Sequence, residues 1–219
     1  MKYADTVVRA VRLTVRNPFA IVLVSVATSV SLLPLFTGAL VAGPLGAVVG
    51  LWTTSLLLGF VAVGGARLVS VVYERELSLG TSYFWDGIRA GTKMAPVVGV
   101  GTFLVVVLAL VLLLNPFRGL LRLSVALLGV YALLAWYVLA TFALAVWAAS
   151  DRTAGIRSSF AGGGALVLEH PVAGVWVLVQ TIGWTLLSIP LIIAPVLLLP
   201  GFAQLVNVSI ARRAAETDD

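Results

Sequence analysis

From Pro18 to Ala66 the chain carries no Asp, Glu, Lys, Arg or His. A helix needs about 20 apolar residues to cross about 30 Å of hydrocarbon, so this run is long enough for two crossings. Glycine and proline gather in its middle, at Pro34, Gly38 and Gly43-Pro44. They predict a corner between two helical arms, near residues 18–41 and 45–72. A second charge-free run covers residues 171–211, divided by Pro190, Pro195 and Pro200-Gly201. It reads as a span of about 18–25 residues and a shorter last one. Between the two runs, Pro96 opens a span over 97–114 that Asn115-Pro116 closes, and another covers 123–149.

Only a bilayer accommodates this much apolar surface. Hydrophobic residues make up 61% of the 219 and charged residues 11%, against about 25% charged in soluble domains. The fold class expected is an all-α polytopic transmembrane bundle of six spans, or five, with short amphipathic interfacial helices. It divides into a surface helix at 1–17, the bundle at 18–211 and a charged tail at 212–219. No cysteine is present, which excludes disulfides and thiolate chemistry. The net charge of +5 belongs to segments at span ends, where it meets anionic lipid rather than nucleic acid.

The segments between spans have patterns of their own. Asp5, Arg9, Arg12 and Arg16 share one helical face, and Ala4, Val8, Val11 and Val15 share another. This predicts a helix lying on the membrane with arginines toward the headgroups. Glu74-Arg75-Glu76 reads as a solvated turn, and Thr81 or Ser82 can cap a short helix with Phe84, Ile88 and Gly91 on one side. Asp151 can cap another, which Gly162-Gly163-Gly164 is expected to break. Three times a basic surface segment leads into a proline that starts an apolar hairpin: Asn17-Pro18, Ala95-Pro96 and His170-Pro171. This is a loose internal repeat.

Six spans with the N-terminus inside place twelve Lys and Arg residues inside and only Arg118 and Arg122 outside. Five spans give ten and four. Both arrangements predict a multi-pass protein of the cell membrane with a cytoplasmic N-terminus.

Little in the chain can carry chemistry. No ionisable residue falls at a span centre, the usual mark of proton relays and ion paths; Arg67 comes nearest and can reach the surface. The lone histidine, His170, has too few neighbours to make a metal site, and there is no Gly-x-Ser-x-Gly elbow. These absences point away from an enzyme and from any cofactor. Polar uncharged residues are more informative. Thr53, Thr54, Ser55, Gln180 and Thr181 form a candidate polar cavity; Thr28, Thr185, Gln204 and Asn207 also fall within spans. Interhelical and back-bonding hydrogen bonds are the structural alternative for all of them. The span tryptophans read as packing.

The corner SLLPLFTGALVAGPLGAVVGLW, the segment SYFWDGIRAGTKMAP and the late HPVAGVWVLVQ and LLLPGFAQLVN resemble the YesL-like family of small prokaryotic membrane proteins. Pro34, Thr37 and Gly38 match that family's corner, while the following proline is displaced to Pro44. The resemblance implies a non-enzymatic accessory or assembly component linked to carbohydrate uptake, partnered by the lipid bilayer and a transporter complex. It transfers no functional residues. The alternative is a passive transporter or channel for a small solute.

Overall fold

The computed structural model describes residues 2–75, 80–150, 154–188 and 198–215. Among them every regular element is an α-helix: α1 (Lys2–Arg16), α2 (Pro18–Ser31), α3 (Leu33–Arg75), α4 (Ser82–Ala90), α5 (Met94–Leu113), α6 (Gly119–Ala149), α7 (Ile156–Glu169), α8 (Pro171–Ser188) and α9 (Leu199–Ala215). Glu76, Asp151, Pro190, Pro195 and the end of the tail lie outside the described residues.

Among the described residues three helical stretches are long and apolar enough to cross a membrane: 18–75, α5 and α6. A fourth is added if α7 and α8, bent by 96° at their junction, form one broken span. That is fewer than the six, or five, expected. One cause is that helical backbone runs through most of 18–75, merging the two expected arms. Another is that α9 has only 17 residues and ends on Arg212 and Arg213.

The corner falls at Ala42 and Gly43, where Gly43 (φ 58°, ψ −141°) adopts a conformation open only to glycine. Beyond it the chain folds back on itself. A Cβ on Gly46 would meet the Gly38 carbonyl carbon at 2.8 Å, and one on Gly50 would meet the Leu35 Cα at 2.9 Å. The first expected arm, 18–41, is itself broken at Leu32. Pro34 has no amide hydrogen to continue the ladder, and the next amide, on Leu35, donates across the hairpin to the Thr54 hydroxyl at 3.1 Å.

The element at the centre is the last one. Leu205–Ala211 of α9 are buried without interruption, and α9 touches α1, α2, α3, α6, α7 and α8. Gly201 allows it to cross α2 closely, with its amide donating to Ser25 Oγ at 2.8 Å. Arg212, expected in a charged tail, lies inside α9. It donates to Ser70 Oγ at 2.6 Å, pairs with Glu74 and reaches over the Tyr73 ring. Glu74 and Arg75 accordingly end α3 rather than form a turn.

The other surface segments also pack. Helix α1 buries a face the sequence pattern does not single out, Thr6, Ala10 and Leu13, continued by Asn17 just after it, much of it against α9. Val8 and Val15 are left 62% and 76% exposed. Arg9 turns inward, 4.2 Å above the Tyr73 ring, while Arg12 and Arg16 stay exposed. Helix α4 buries Phe84 and Gly87 on α3, close to Gly64 and Arg67; Thr81 precedes it without a side-chain capping bond. Arg67 donates to the Ala148 carbonyl at 3.1 Å, placing a cation on the last turn of α6.

Helix α7 runs unbroken through Gly162-Gly163-Gly164. Gly163 is there for a crossing: a Cβ on it would lie 2.8 Å from the Ala143 Cα of α6. In membrane helices small residues serve close approach more than interruption. Two of the three proline junctions share one backbone conformation, Asn17 at φ −127°, ψ 52° and His170 at φ −122°, ψ 62°. A residue before proline is driven out of the helical region, so the surface helix must turn before the next helix starts. At the middle junction Pro96 instead lies within the first turn of α5, and the turn comes earlier, around Gly91.

Candidate functional site

Each of the three helix pairs that come after a surface segment sends polar side chains to the middle of the bundle. There they border a cavity of about 440 Å³. Thr28 of α2 and Leu58 of α3 border it on one side, Thr102 of α5 and Tyr137 of α6 on another, and Thr181 of α8 and Gln204 of α9 on a third. Most of these residues stand near the midpoint of a helix or arm, so the cavity lies at mid-depth. Most of the wall is aliphatic, and among the described residues no charged one lines it. Its size falls within the usual range of small-molecule sites, about 300–1,000 Å³.

The hydrogen bonds that join helices around it fall into three groups. Trp136 Nε1 donates to Thr102 Oγ1 at 3.0 Å, joining α6 to α5. Gln204 Nε2 donates to the Ala62 carbonyl at 2.8 Å, joining α9 to α3 beside Gly65. The third group is a cluster. Asn207 Nδ2 donates to the Tyr137 hydroxyl at 2.8 Å and to Thr181 Oγ1 at 2.9 Å, and those two hydroxyls are 3.1 Å apart. Asn207 is 2% exposed, and its Oδ1 is buried without a hydrogen-bond partner. An unpaired buried acceptor costs about 1–3 kcal/mol. Here it accompanies an amide whose two N–H groups are both committed to hydroxyls at the cavity wall.

The five residues singled out from the sequence do not come together. Thr181 alone lines the cavity. Thr53 bonds back to the Val49 carbonyl at 3.0 Å and faces a shallow groove along the hairpin with Gly38 and Gly46. Thr54 is buried between the hairpin arms, where it accepts the Leu35 amide. Ser55 is buried at the α3–α5 crossing beside Gly99. Gln180 accepts the Trp184 indole N–H at 2.8 Å.

Tyr137 and Trp136 escape sequence reasoning because an aromatic residue in a span looks like packing whether or not its polar atom is used. Gln204 and Asn207 are visible as polar residues. Their spacing of three places them on one helix face, but nothing in the sequence ties that face to Tyr137. Comparison of the chain with protein-family models, with curated proteins and with solved structures finds no match.

Proposed function

We propose that this chain is a non-enzymatic accessory or assembly component of the cell membrane, serving a carbohydrate-uptake system. The observation that carries the reading is how the span hydroxyls are used. Thr28, Ser31, Thr53, Thr102 and Thr185 bond back to carbonyls of their own helices, and Thr54 closes the hairpin. Those that bond back satisfy hydrogen-bonding capacity within their own helices. A polar path needs that capacity turned toward the solute. The link to carbohydrate uptake rests on the YesL-like resemblance alone.

The topology that goes with this reading has a cytoplasmic N-terminus. Residues 18–75 number 58, about 87 Å of helix at 1.5 Å per residue, and the close antiparallel approach at Gly38 and Gly46 supports two passes there. The orientation rests on the twelve-to-two distribution of Lys and Arg. A reporter fused within 73–93 should report the cytoplasm, and one fused after Asp219 shows whether the number of passes is even or odd.

The functional test is reconstitution. Vesicles holding the pure protein should show no flux of sugars or ions above empty vesicles, while deletion lowers the amount or activity of a sugar transporter in the cell. A second reading, passive passage of a small solute, is favoured by the mid-depth cavity between three helix pairs, where transporters with internal repeats hold their substrates. Saturable flux, abolished by Thr181→Val, establishes that reading instead.

A further inference from the structure

An accessory role gives the cavity no occupant, and the occupant can be argued without that role. We propose that the cavity binds an uncharged, mainly aliphatic molecule through a single hydroxyl group, held by Tyr137 and Thr181 with Asn207 behind them.

Three observations carry the assignment. The first is the wall. With no charged residue lining it among those described, and at mid-depth where an isolated charge costs at least about 2.5 kcal/mol, the cavity disfavours ions and zwitterions. It disfavours a free sugar as well. A sugar brings several hydroxyls that each need a partner, whereas aliphatic groups such as Leu58, Val106 and Leu133 line most of the wall.

The second observation is hydrogen bookkeeping in the cluster. The two N–H groups of Asn207 go to the two hydroxyl oxygens, and the 3.1 Å contact between Tyr137 and Thr181 uses the hydrogen of one of them. The other hydroxyl hydrogen has no acceptor within the cluster. Both hydroxyls belong to residues of the cavity wall. A ligand oxygen placed there accepts that hydrogen, and a ligand hydroxyl can donate in return to a remaining lone pair.

The third observation is the unpaired, fully buried Asn207 Oδ1. Turning the amide over would pair the oxygen with the hydroxyls but strand the NH₂ group in its place. Either orientation leaves one end unpaired: as placed, one hydroxyl hydrogen is free for a ligand oxygen, and turned over, both hydroxyls donate to the amide oxygen and offer their lone pairs to a ligand hydroxyl. The chemistry that fits is that of a long-chain alcohol. A membrane can supply it as a neutral lipid with a free hydroxyl, and the aqueous phase as a dissolved amphiphile.

The test uses the full chain in phosphatidylcholine nanodiscs and a diazirine-bearing 1-octanol, with labelled peptides mapped by mass spectrometry. Saturable labelling should centre on the helix turns around Tyr137, Thr181 and Gln204. The corresponding diazirine alkane, lacking the hydroxyl, should label these turns about tenfold less at equal concentration, as loss of one well-made hydrogen bond implies. Tyr137→Phe and, as a second variant, Thr181→Val should each remove the preference for alcohol over alkane. A thermal melt of each variant shows that it is folded. Competition by octanol from solution supports an aqueous source and competition by dioleoylglycerol built into the disc a bilayer source; both sustain the site. Equal labelling by alkane and alcohol, or a preference that survives in both folded variants, overturns the proposal and leaves the cluster a helix-to-helix tie. Competition by glucose overturns it in favour of a sugar site.

Discussion

The two ends of the bundle are built differently. At the end where the basic residues gather, α3 is buried on nearly every side from Val63 to Tyr73, and α9 from Leu205 to Ala211. Helices α1, α4, α6 and α7 surround them there. At the other end the hairpin tip and the α5–α6 turn stand open, with Leu40, Val41, Leu45, Leu114 and Leu120 each about four-fifths exposed. The difference teaches where the stability lies. Lipid tails are as apolar as leucine, so burial drives no helix association in hydrocarbon, and close fit and hydrogen bonds must do it. At the basic end charge is present, and the chain uses it: Arg67 on the end of α6, Arg212 on Ser70 and Glu74, Arg9 on Tyr73.

The largest predicted effect tests that contrast directly. Gly163 and Gly46 both lie against backbone, Ala143 at one end and Gly38 at the other. Gly163→Val should cost about 3 kcal/mol, because α6 and α7 are held by neighbours and overpacking has no relief. Gly46→Val should cost about 1 kcal/mol, since the hairpin arms can part into lipid. Unfolding in mixed micelles with increasing SDS measures both. Equal losses would remove the distinction between the ends.

Next comes the charge at the basic end. Arg212→Met keeps most of the aliphatic stem but strands Ser70 and releases Glu74. The arginine side chain is 16% exposed and the glutamate 42%, so the loss should be about 2 kcal/mol, moderated by solvent at the glutamate. Glu74→Gln should cost less than half of that. A larger loss from Glu74→Gln would mean that the ion pair, not the bond to Ser70, holds the end together.

How much of this is legible in the sequence also divides by end. The corner announces itself through Gly43-Pro44, because backbone that only glycine adopts leaves a mark in composition. The basic surface segments are legible as helices, since arginines must find water or a partner. Which side of each helix is buried is not. In lipid the outward and inward faces are both apolar, so Leu40 and Leu205 look alike in the sequence although one is 85% exposed and the other fully buried. For the same reason the short last helix reads as a tight final span when it is the axis of the bundle. The candidate site is legible as a set of polar residue types and illegible as a place. Thr54 and Thr181 are the same residue in similar surroundings, and only the fold puts one inside a hairpin and the other on a cavity.

The corner offers a smaller effect, confined to the open end. Gly43→Ala meets no neighbouring atom within 4 Å, so its cost is backbone strain at φ 58°, about 1–2 kcal/mol. The proteolysis pattern of the basic end should stay unchanged, because nothing there depends on the angle of the tip. Loosening of both ends together would show that the hairpin sets the bundle's packing.

The smallest effect separates two adjacent threonines. Thr53 Oγ1 bonds to the Val49 carbonyl one turn back in its own helix, a carbonyl that already takes part in the helix ladder. Thr54 Oγ1 lies 3.1 Å from the Leu35 amide in the opposite arm, just past the break that Pro34 imposes. That amide also points to the Leu32 carbonyl at 3.1 Å, so removing the hydroxyl weakens a shared bond and leaves no amide wholly unpaired. Interhelical bonds of this kind average about 0.6 kcal/mol in membranes, and valine preserves the branching while discarding the oxygen. Thr54→Val should therefore lose about 0.6 kcal/mol and Thr53→Val nothing measurable. Hydrogen exchange at the Leu35 amide should quicken in the first variant alone. If instead the two threonines prove interchangeable, the hairpin arms are held by glycine contact and not by the hydroxyl, and the open end contains no polar tie of its own.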